Sequence, residues 1–266
     1  MVKIGGAEGN RLEPLMEEIA GRASRGERWI VVHGASGVMD RLCRERGVEI
    51  RMITSPSGYR SRFVGESELM IFAEASHIYG TLIREALARF GAASEIIRPG
   101  ASGSVSARRK DVLREGFQGR VRIVRGNYSG TVASVDGAKI REALDRGIVP
   151  ILPPLGHDRE SGLEINIDGD RLAAAVAAEM CAEVLIVLSN VPGLMRDLSS
   201  PDSRVGRASL SEWEEVERYA QGNMKRKLVA SKEALEGGVP EVYLADGRAK
   251  RPIGNAMGGD ATCLAR

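Results

Sequence analysis

The stretch Lys3-Ile4-Gly5-Gly6-Ala7-Glu8-Gly9 places a glycine turn at the end of an apolar strand pattern, Val2–Ile4. A second apolar run, Trp29–His33, passes in the same way into Gly34-Ala35-Ser36-Gly37. Glycines at such a point let backbone N–H groups approach an anion, and the helix that follows adds its positive dipole end. We therefore expect both turns to face one cleft at the carboxyl edge of a parallel sheet. Taken alone, the first turn is equally compatible with a tight connection and a solvated Lys3.

Short apolar runs alternate with helical patterns along the rest of the chain. In the clearest helix, Glu66–Phe90, apolar residues recur at steps of three and four. Strands alternating with helices predict an α/β fold, a three-layer sandwich whose mainly parallel central sheet is covered on both faces. A polar loop near His157–Gly162 separates two predicted lobes, residues 1–160 and 161–266. The further predicted strands are Val149–Leu152, Val184–Leu188 and Val242–Leu244, and the further predicted helices are Asp136–Arg146, Asp170–Met180, Ser211–Tyr219 and Asn223–Glu236.

One segment, residues 100–135, breaks this alternation because it is rich in Gly, Ser and Arg. Two short alternating runs, Arg120–Val124 and Thr131–Val135, flank Gly126-Asn127-Tyr128-Ser129-Gly130. We predict that the two runs pair as a β-hairpin with its turn at these five residues. The segment is thus expected to be a small antiparallel insertion at the rim of the first lobe.

The same region is strongly basic. Between Arg98 and Arg125 there are eight basic and two acidic residues, a local net charge of +6, whereas the whole chain carries +2. Such a rim would attract an acidic protein and raise its association rate. A solvated, salt-bridged surface is the plain alternative. Nucleic acid binding is disfavoured because few aromatic residues are interleaved.

The composition is that of an ordinary globular protein, with 266 residues, 43% hydrophobic and 28% charged. No apolar run approaches the ~20 residues of a membrane span, and the N-terminus lacks a signal-peptide layout. The three cysteines are odd in number and widely spaced, which indicates neither disulfides nor a zinc ribbon. We expect a cytoplasmic protein without membrane or nucleic acid partners.

Two further segments open helices and carry charge. Asn166-Ile167-Asp168-Gly169-Asp170 offers two aspartates, either of which could simply cap the helix. Gly222-Asn223-Met224-Lys225-Arg226-Lys227-Leu228 places Lys227 beside a residue that the pattern buries, although a solvated face is the ordinary alternative. Only seven of the 38 basic residues are lysines, so the lysines at positions 3 and 227 are informative. A compact ammonium can follow a moving phosphoryl group, whereas a planar guanidinium suits fixed bidentate contacts. We interpret His33 as a positional hydrogen-bonding residue.

These four elements, in this order, resemble the amino acid kinase family over essentially the whole chain. Within the family the chain is similar to the acetylglutamate kinase branch. The segments Ser55-Pro56-Ser57-Gly58-Tyr59-Arg60-Ser61-Arg62-Phe63 and Ala107-Arg108-Arg109-Lys110-Asp111 resemble the members that act on acids linked to a small acidic carrier protein, LysW. The resemblance implies the carbamate-kinase-like fold of the family.

The resemblance also implies roles for individual residues. Lys3 and Lys227 match the two lysines that stabilise the transition state, and Asp170 matches the acid that orients them. The implied substrate-binding residues are Gly34, Ala35, Ser36, Arg62 and Asn166. The implied ATP-binding residues are Gly5, Gly6, Ser189, Asn190, Val191, Pro192 and Gly193. The implied carrier-docking residues are Arg60, Arg108, Arg109 and Lys110.

The chain departs from the family pattern at four places. Val64-Gly65 stands where the family usually has Thr-Asp, and Ser189-Asn190 stands where it usually has Thr-Asp in the nucleotide loop. Ala35 replaces a glycine of the second turn, and Glu8 puts an acid into the first turn. These departures bear on the nucleotide contacts and on support for Mg²⁺, and none touches the two lysines or Asp170.

The function implied by the resemblance is ATP-dependent phosphorylation of the side-chain carboxylate of carrier-linked 2-aminoadipate, glutamate or both. This reaction would serve lysine biosynthesis, and arginine biosynthesis where glutamate is used. ATP is the implied co-substrate, with Mg²⁺ carried mainly by the nucleotide and no protein metal site. The alternatives are an acetylglutamate kinase and a non-catalytic nucleotide-sensing module of the same fold. We expect a homodimer, because no extension of the kind used by hexameric relatives precedes the first strand.

Overall fold

A computed structural model describes residues 1–7, 9, 11–56, 58–117 and 119–266. The strands are β1 (Val2–Ile4), β2 (Val31–His33), β3 (Met52–Thr54), β4 (Arg60–Arg62), β5 (Ser94–Ile96), β6 (Val105–Arg109), β7 (Leu113–Phe117), β8 (Arg120–Val124), β9 (Ser129–Val135), β10 (Val149–Leu152), β11 (Leu155–Asp158), β12 (Leu163–Ile167), β13 (Val184–Ser189), β14 (Arg207–Ser209), β15 (Glu241–Asp246) and β16 (Thr262–Ala265). The helices are α1 (Leu12–Ala23), α2 (Ser36–Glu45), α3 (Glu66–Arg89), α4 (Pro99–Ser102), α5 (Ala138–Asp145), α6 (Gly169–Glu179), α7 (Trp213–Tyr219), α8 (Asn223–Glu236) and α9 (Pro252–Met257).

The central sheet has eight strands in the order β14-β16-β15-β13-β1-β2-β10-β5. Its neighbouring strands are parallel except for β15 and β16. The predicted α/β fold with a mainly parallel sheet is confirmed. Strands from residues 1–160 and from 161–266 fill the two halves of this one sheet, and the lobe boundary itself stays a prediction. Parallel pairing puts the carboxyl ends of β13, β1, β2 and β10 at one edge.

Alternation along the strands builds a core on each face of the sheet. In β13, Leu185 and Val187 pack with the buried residues of α5, α6 and α8. Ile186 and Leu188 point the other way and pack with those of α1, α3 and α9. Successive side chains of a strand leave on opposite faces, so a fully apolar strand requires cover on both. The result is the predicted three-layer sandwich.

The predicted hairpin in the basic insertion is wrong. β8 pairs antiparallel with β7, the strand that precedes it in the chain, and not with β9. β9, which contains the second predicted run, instead pairs with β6 and β12 and closes a small barrel with β11. The physical reason is Asn127, whose buried side chain donates to the carbonyls of Lys110 (2.7 Å) and Ser129 (3.2 Å) and ties the supposed turn to the barrel.

Within the described ranges, no helix combines the length and the apolar character needed to cross a membrane.

Candidate active site

The two glycine turns contact each other at the carboxyl ends of β1 and β2. The N–H of Gly37 donates to the carbonyl of Gly6 at 2.6 Å. A Cβ on Gly6 would lie 2.4 Å from the amide nitrogen of Ala35, and a Cβ on Gly34 would lie 2.5 Å from the amide nitrogen of Gly6. Any side chain at Gly6 or Gly34 would force the backbone apart. The turns therefore meet, as the sequence led us to expect.

Three charged side chains form a buried cluster beside these turns. Nζ of Lys3 lies 2.7 Å from Oδ1 of Asp170, and Nζ of Lys227 lies 3.2 Å from both oxygens of the same carboxylate. The side chains of Lys3, Asp170 and Lys227 are 7%, 10% and 12% exposed. Two ammonium groups on one carboxylate leave a net charge of +1 with little water around it. An anion that binds beside this cluster is attracted strongly, because charges interact more strongly where water is scarce.

The start of α6 shows how the chain positions this cluster. Asp168 is the helix cap, since its Oδ1 accepts from the N–H groups of Asp170 (2.9 Å) and Arg171 (3.1 Å). The capping role that the sequence left open thus falls to Asp168, and the carboxylate of Asp170 reaches the lysines. Gly169 lies between them, and a Cβ there would sit 3.5 Å from Cε of Lys3.

The lysines set the charge state of Asp170. Burial by itself would raise the pKa of this carboxyl, but Lys3 and Lys227 outweigh it and hold the pKa well below its usual range. The pKa of Lys227 is lowered, first by burial and then by the charge of Lys3, while Asp170 opposes the shift. The cluster is thus short of negative charge, and its carboxylate stays ionised.

His33 is fully buried beneath the second glycine turn. Its Nδ1 lies 2.9 Å from the carbonyl oxygen of Gly34, and its ring meets that of Tyr79 edge-on at 5.4 Å. Burial lowers the pKa of His33 to about 4, so the ring is neutral at neutral pH. A neutral imidazole facing a carbonyl must donate from Nδ1, which fits the positional interpretation.

Arg62 has a guanidinium nitrogen that is available to bind a carboxylate. Its Nη2 pairs with Asp40 of α2. Its Nη1 is buried and has no hydrogen-bond partner within the described part of the chain. An unpaired buried donor is costly, so this nitrogen would gain from a carboxylate ligand. Asn166 lies on β12, where its Nδ2 donates to Oγ of Ser129 at 2.9 Å.

Hydrogen bonds link Val64, two residues after the end of β4, to Asn166. The N–H of Tyr128 donates to the carbonyl of Val64 at 2.7 Å, and the N–H of Asn166 donates to the carbonyl of Tyr128 at 3.1 Å. Oδ1 of Asn127 accepts from the N–H of Val64 at 3.3 Å. No sequence pattern indicates this role of Asn127, because a Gly-Asn pair is typical of exposed turns.

The Ser189–Gly193 loop follows β13 at the same edge of the sheet. The three residues that follow Ser189 are exposed. The carbonyl of Ser189 accepts a hydrogen bond from the N–H of Gly247 at 2.8 Å. Nδ2 of Asn190 is 3.6 Å from the point where a Cβ on Gly9 would lie. The predicted nucleotide loop therefore stands next to the first glycine turn.

The positions at which the chain departs from the family pattern differ in their structural surroundings. Ala35 is buried as the residue before α2, and Ser36 begins that helix. Gly65 precedes α3, and a Cβ there would lie 2.6 Å from Oε2 of Glu68. Glycine at this position leaves room for that carboxylate to fold back over the helix start. Glu8, like Ser57 of the quoted segment, lies outside the described residues.

The residues predicted to dock a carrier fall into two groups. Arg60, Arg108 and Lys110 are exposed. Arg109 is held instead: its guanidinium lies 3.6 Å from the Tyr128 ring centroid and its Nε donates to the carbonyl of Asn127 at 2.8 Å. Three of the four predicted residues are therefore available at the surface, and Arg109 serves mainly to brace the barrel.

The described residues around the glycine turns do not fit a metal ion held by protein side chains. Among the described residues, no three His, Cys, Asp or Glu side chains are grouped so that they could hold an ion. The carboxylate of Asp170 is already shared by two lysines.

A family model described as the amino acid kinase family matches residues 1–246. The chain belongs to the amino acid kinase family. This amino acid kinase is 37% identical to the [LysW]-aminoadipate kinase of Deinococcus radiodurans over 99% of the chain and 90% of the relative. It is 35% identical to the [LysW]-aminoadipate kinase of Thermus thermophilus over 99% of each. It is 30% identical to the [LysW]-aminoadipate/[LysW]-glutamate kinase of Sulfurisphaera tokodaii, over 97% of the chain and 96% of the relative.

Solved structures support the same fold. An N-acetylglutamate synthase from Neisseria gonorrhoeae, complexed with coenzyme A and N-acetyl-glutamate, aligns with a TM-score of 0.77 at 25% identity, over the whole kinase chain and 58% of the synthase. The carbamate kinase of Giardia lamblia bound to AMP-PNP aligns with a TM-score of 0.66 at 15% identity, over 99% and 97% of the two chains. The expected carbamate-kinase-like fold is confirmed.

Proposed function

We propose that this kinase transfers the γ-phosphoryl group of ATP to the side-chain carboxylate of 2-aminoadipate, glutamate or both, each linked through its amino group to a small acidic LysW-type carrier protein. The product is an acyl phosphate used in lysine biosynthesis, and in arginine biosynthesis where glutamate is the acid. Relatives that carry the [LysW]-aminoadipate name align over nearly the whole chain, which supports the substrate. Membership of a kinase family supports ATP as co-substrate.

The observation that carries the reaction type is the cluster of Lys3, Asp170 and Lys227. Its excess positive charge, buried beside two glycine turns, suits a group that carries several negative charges and moves during reaction. We assign Lys3 and Lys227 to stabilise charge on the transferring phosphoryl group. Asp170 holds the two ammonium groups together before the nucleotide arrives, since unpaired buried cations would be costly.

The proposed step needs no general base. A side-chain carboxylate has a reference pKa near 4, so the attacking oxygen is already ionised at neutral pH. That oxygen forms a bond to the γ-phosphorus, the bond from phosphorus to the β–γ bridging oxygen breaks, and ADP leaves. No proton moves. The task of the protein is to bring two anions together, and positive charge with backbone N–H donors does this.

We assign the acid to the side of the cleft that holds Arg62 and Asn166, together with the second turn, Gly34-Ala35-Ser36. The buried, unpartnered Nη1 of Arg62 favours a carboxylate there. The α-carboxylate is the natural ligand, because the side-chain carboxylate must face the phosphate. We assign the nucleotide to Gly5, Gly6 and the Ser189–Gly193 loop, with Mg²⁺ arriving mainly on ATP.

We assign carrier docking to the exposed members of the basic stretch, Arg60, Arg108 and Lys110. The neighbouring β7–β8 hairpin exposes apolar side chains between arginines, Phe117 at 52% and Val121 at 56%. Basic and apolar groups side by side suit an acidic protein surface better than a free amino acid. A homodimer also remains our proposal; α3 exposes Met70 by 68%, an apolar side chain that a partner subunit could cover.

An ATP-dependent hydroxamate assay tests the proposal by offering carrier-linked, acetylated and free acids side by side. We expect hydroxamate from the carrier-linked acids. Preference for acetylglutamate would instead identify an acetylglutamate kinase. Nucleotide binding without hydroxamate from any acid would identify a non-catalytic module.

A further inference from the structure

Arg226 makes two contacts that the proposed phosphoryl transfer does not itself require. It directly precedes Lys227 on α8, yet its side chain reaches the β3–β4 hairpin. Its guanidinium carbon lies 5.1 Å from the centroid of the Tyr59 ring, and its Nη2 donates to the carbonyl of Arg60. One side chain thus joins the helix of Lys227 to the strand that ends at Arg62.

The hairpin depends on outside contacts for its position. β3 and β4 have three residues each and pair only with each other among the described strands. A two-stranded hairpin alone is marginally stable in water. Its tip is held locally, because the N–H of Ser55 donates to the carbonyl of Tyr59 at 2.7 Å and the N–H of Tyr59 donates to Oγ of Ser55 at 3.0 Å. These bonds shape the tip but do not place it in the cleft.

The far side of the hairpin rests on β7. Arg51 pairs with Glu115 at 3.6 Å, and a Cβ on Gly116 would lie 3.5 Å from Cα of Pro56. β7 belongs to the basic insertion and carries none of the proposed reacting groups. Arg62 of β4 also pairs with Asp40 of α2. The contact with Arg226 ties the hairpin to α8, the helix that carries Lys227.

We propose that Arg226 is a positioning residue. Its contacts with the Tyr59 ring and the Arg60 carbonyl, together called the clasp, set the distance between Arg62 and Lys227. This inference rests on the proposed function, in which Arg62 holds the acid and Lys227 the phosphoryl group. Arg60 and Arg62 are two residues apart on β4, about 7 Å at the strand rise. A shift at the clasp is therefore transmitted directly to the acid. Reacting atoms must come within ~3–3.5 Å, and a 1 Å error can cost ~10²-fold in rate.

An arginine suits this position because its planar guanidinium can stack on a ring and donate a hydrogen bond at the same time. Arg226→Met keeps much of the aliphatic stem and removes both contacts. We expect kcat/KM for the acid to fall by about 10- to 100-fold, with KM for ATP within about twofold of the wild type. Arg226→Lys should recover part of the loss.

Tyr59 supplies the reciprocal test. Tyr59→Phe keeps the ring and should behave like the wild type, whereas Tyr59→Leu should resemble Arg226→Met. If the two residues act as one clasp, the double variant Arg226→Met/Tyr59→Leu should be little worse than either single variant. The matched control is Lys225→Met, the same charge change one residue earlier on the exposed side of α8.

Amide hydrogen exchange tests the clasp independently of the proposed reaction. In Arg226→Met the amides of Ser55 and Tyr59 should exchange faster at an unchanged urea midpoint, and in Lys225→Met they should not. Unchanged exchange, wild-type kinetics in Arg226→Met, strictly additive losses, or a loss confined to KM for ATP would each overturn the clasp. If the wild-type protein phosphorylates no acid, the proposed function fails, and the exchange measurement still decides whether Arg226 holds the hairpin.

Discussion

Removing Lys227 or Asp170 from the buried cluster should change the stability of the fold by very different amounts and lower turnover by similar amounts. Lys227→Met leaves Lys3 and Asp170 as a neutral pair, whereas Asp170→Asn leaves two ammonium groups with no counter-ion. Both variants disturb the charge offered to the phosphoryl group. We expect each to lower kcat by ~10²-fold or more. Only Asp170→Asn should strongly destabilise the fold.

The magnitude follows from the geometry. Oδ1 of Asp170 lies 2.7 Å from Nζ of Lys3 and 3.2 Å from Nζ of Lys227, so the two nitrogens are at most the sum of these distances apart. Two like charges ~6 Å apart repel by about 3 kcal/mol at an effective dielectric constant of ~20. Asp170→Asn leaves this repulsion uncompensated, and we expect it to cost about 3–5 kcal/mol, the usual range for a broken buried ion pair. Lys227→Met removes the same repulsion together with one attraction and leaves Lys3 paired with Asp170. Because no uncompensated charge is left buried, we expect a change in unfolding free energy within about 1 kcal/mol.

Urea denaturation at pH 7 gives the free energy of unfolding, and the hydroxamate assay at saturating substrates gives kcat. Lys225→Met serves again as the control for charge removal from α8. The reasoning is refuted if Lys227→Met is destabilised as much as Asp170→Asn, or if either variant turns over at nearly the wild-type rate.

Arg62→Ala should mainly raise KM for the acid and leave KM for ATP nearly unchanged, with Arg62→Lys recovering only part, because bidentate geometry goes with the guanidinium; a fall in ATP affinity would mean that the two sides of the cleft are assigned the wrong way round. Gly34→Ala should abolish turnover or soluble expression, because its Cβ would lie 2.5 Å from a backbone nitrogen; an active, stable variant would contradict the packing of the two turns. With carrier-linked substrate, kcat/KM should fall as salt rises from ~50 to ~500 mM, and reversing Arg108 and Lys110 to Glu should depress it through the association rate; an equal salt slope for a small acylated acid would argue against docking. The stability advantage of the wild type over Asp170→Asn should narrow below pH ~4, because a carboxylate with a lowered folded pKa stabilises above its ordinary pKa of ~3.9 and loses this as pH falls; a constant advantage down to pH ~2 would exclude this linkage.

The central sheet and the meeting of the turns were predictable from the sequence because both depend on local patterns. Apolar runs fix which strands are buried on both faces, and each glycine turn follows such a strand directly. The buried position of Lys227 could also be predicted, because the neighbouring Leu228 lies on the core side of α8. The sequence could not decide between Asp168 and Asp170 as the helix cap, because the two differ only in where their side chains point.

The partners of short strands were not predictable. The alternating run Arg120–Val124 indicates a strand, but nothing local distinguishes pairing with β7 from pairing with β9. Asn127 decided this through contacts with residues far along the chain. The clasp of Arg226 on Tyr59 has the same origin, since it joins residues 167 positions apart that meet only when the hairpin folds over the cleft. Long-range polar contacts of this kind have no periodic signature.

The central claim is that a side-chain carboxylate attacks the γ-phosphorus of ATP, and oxygen labelling tests it most directly. Carrier-linked aminoadipate labelled with ¹⁸O in its side-chain carboxylate is incubated with the kinase, ATP and hydroxylamine, and the released phosphate is analysed by ³¹P NMR. Hydroxylamine attacks the acyl carbon, so the bridging oxygen leaves with the phosphate. We predict phosphate that carries one ¹⁸O atom, formed in step with the hydroxamate. Phosphate without label would mean that water, and not the carboxylate, takes the phosphoryl group, and would contradict the proposed function.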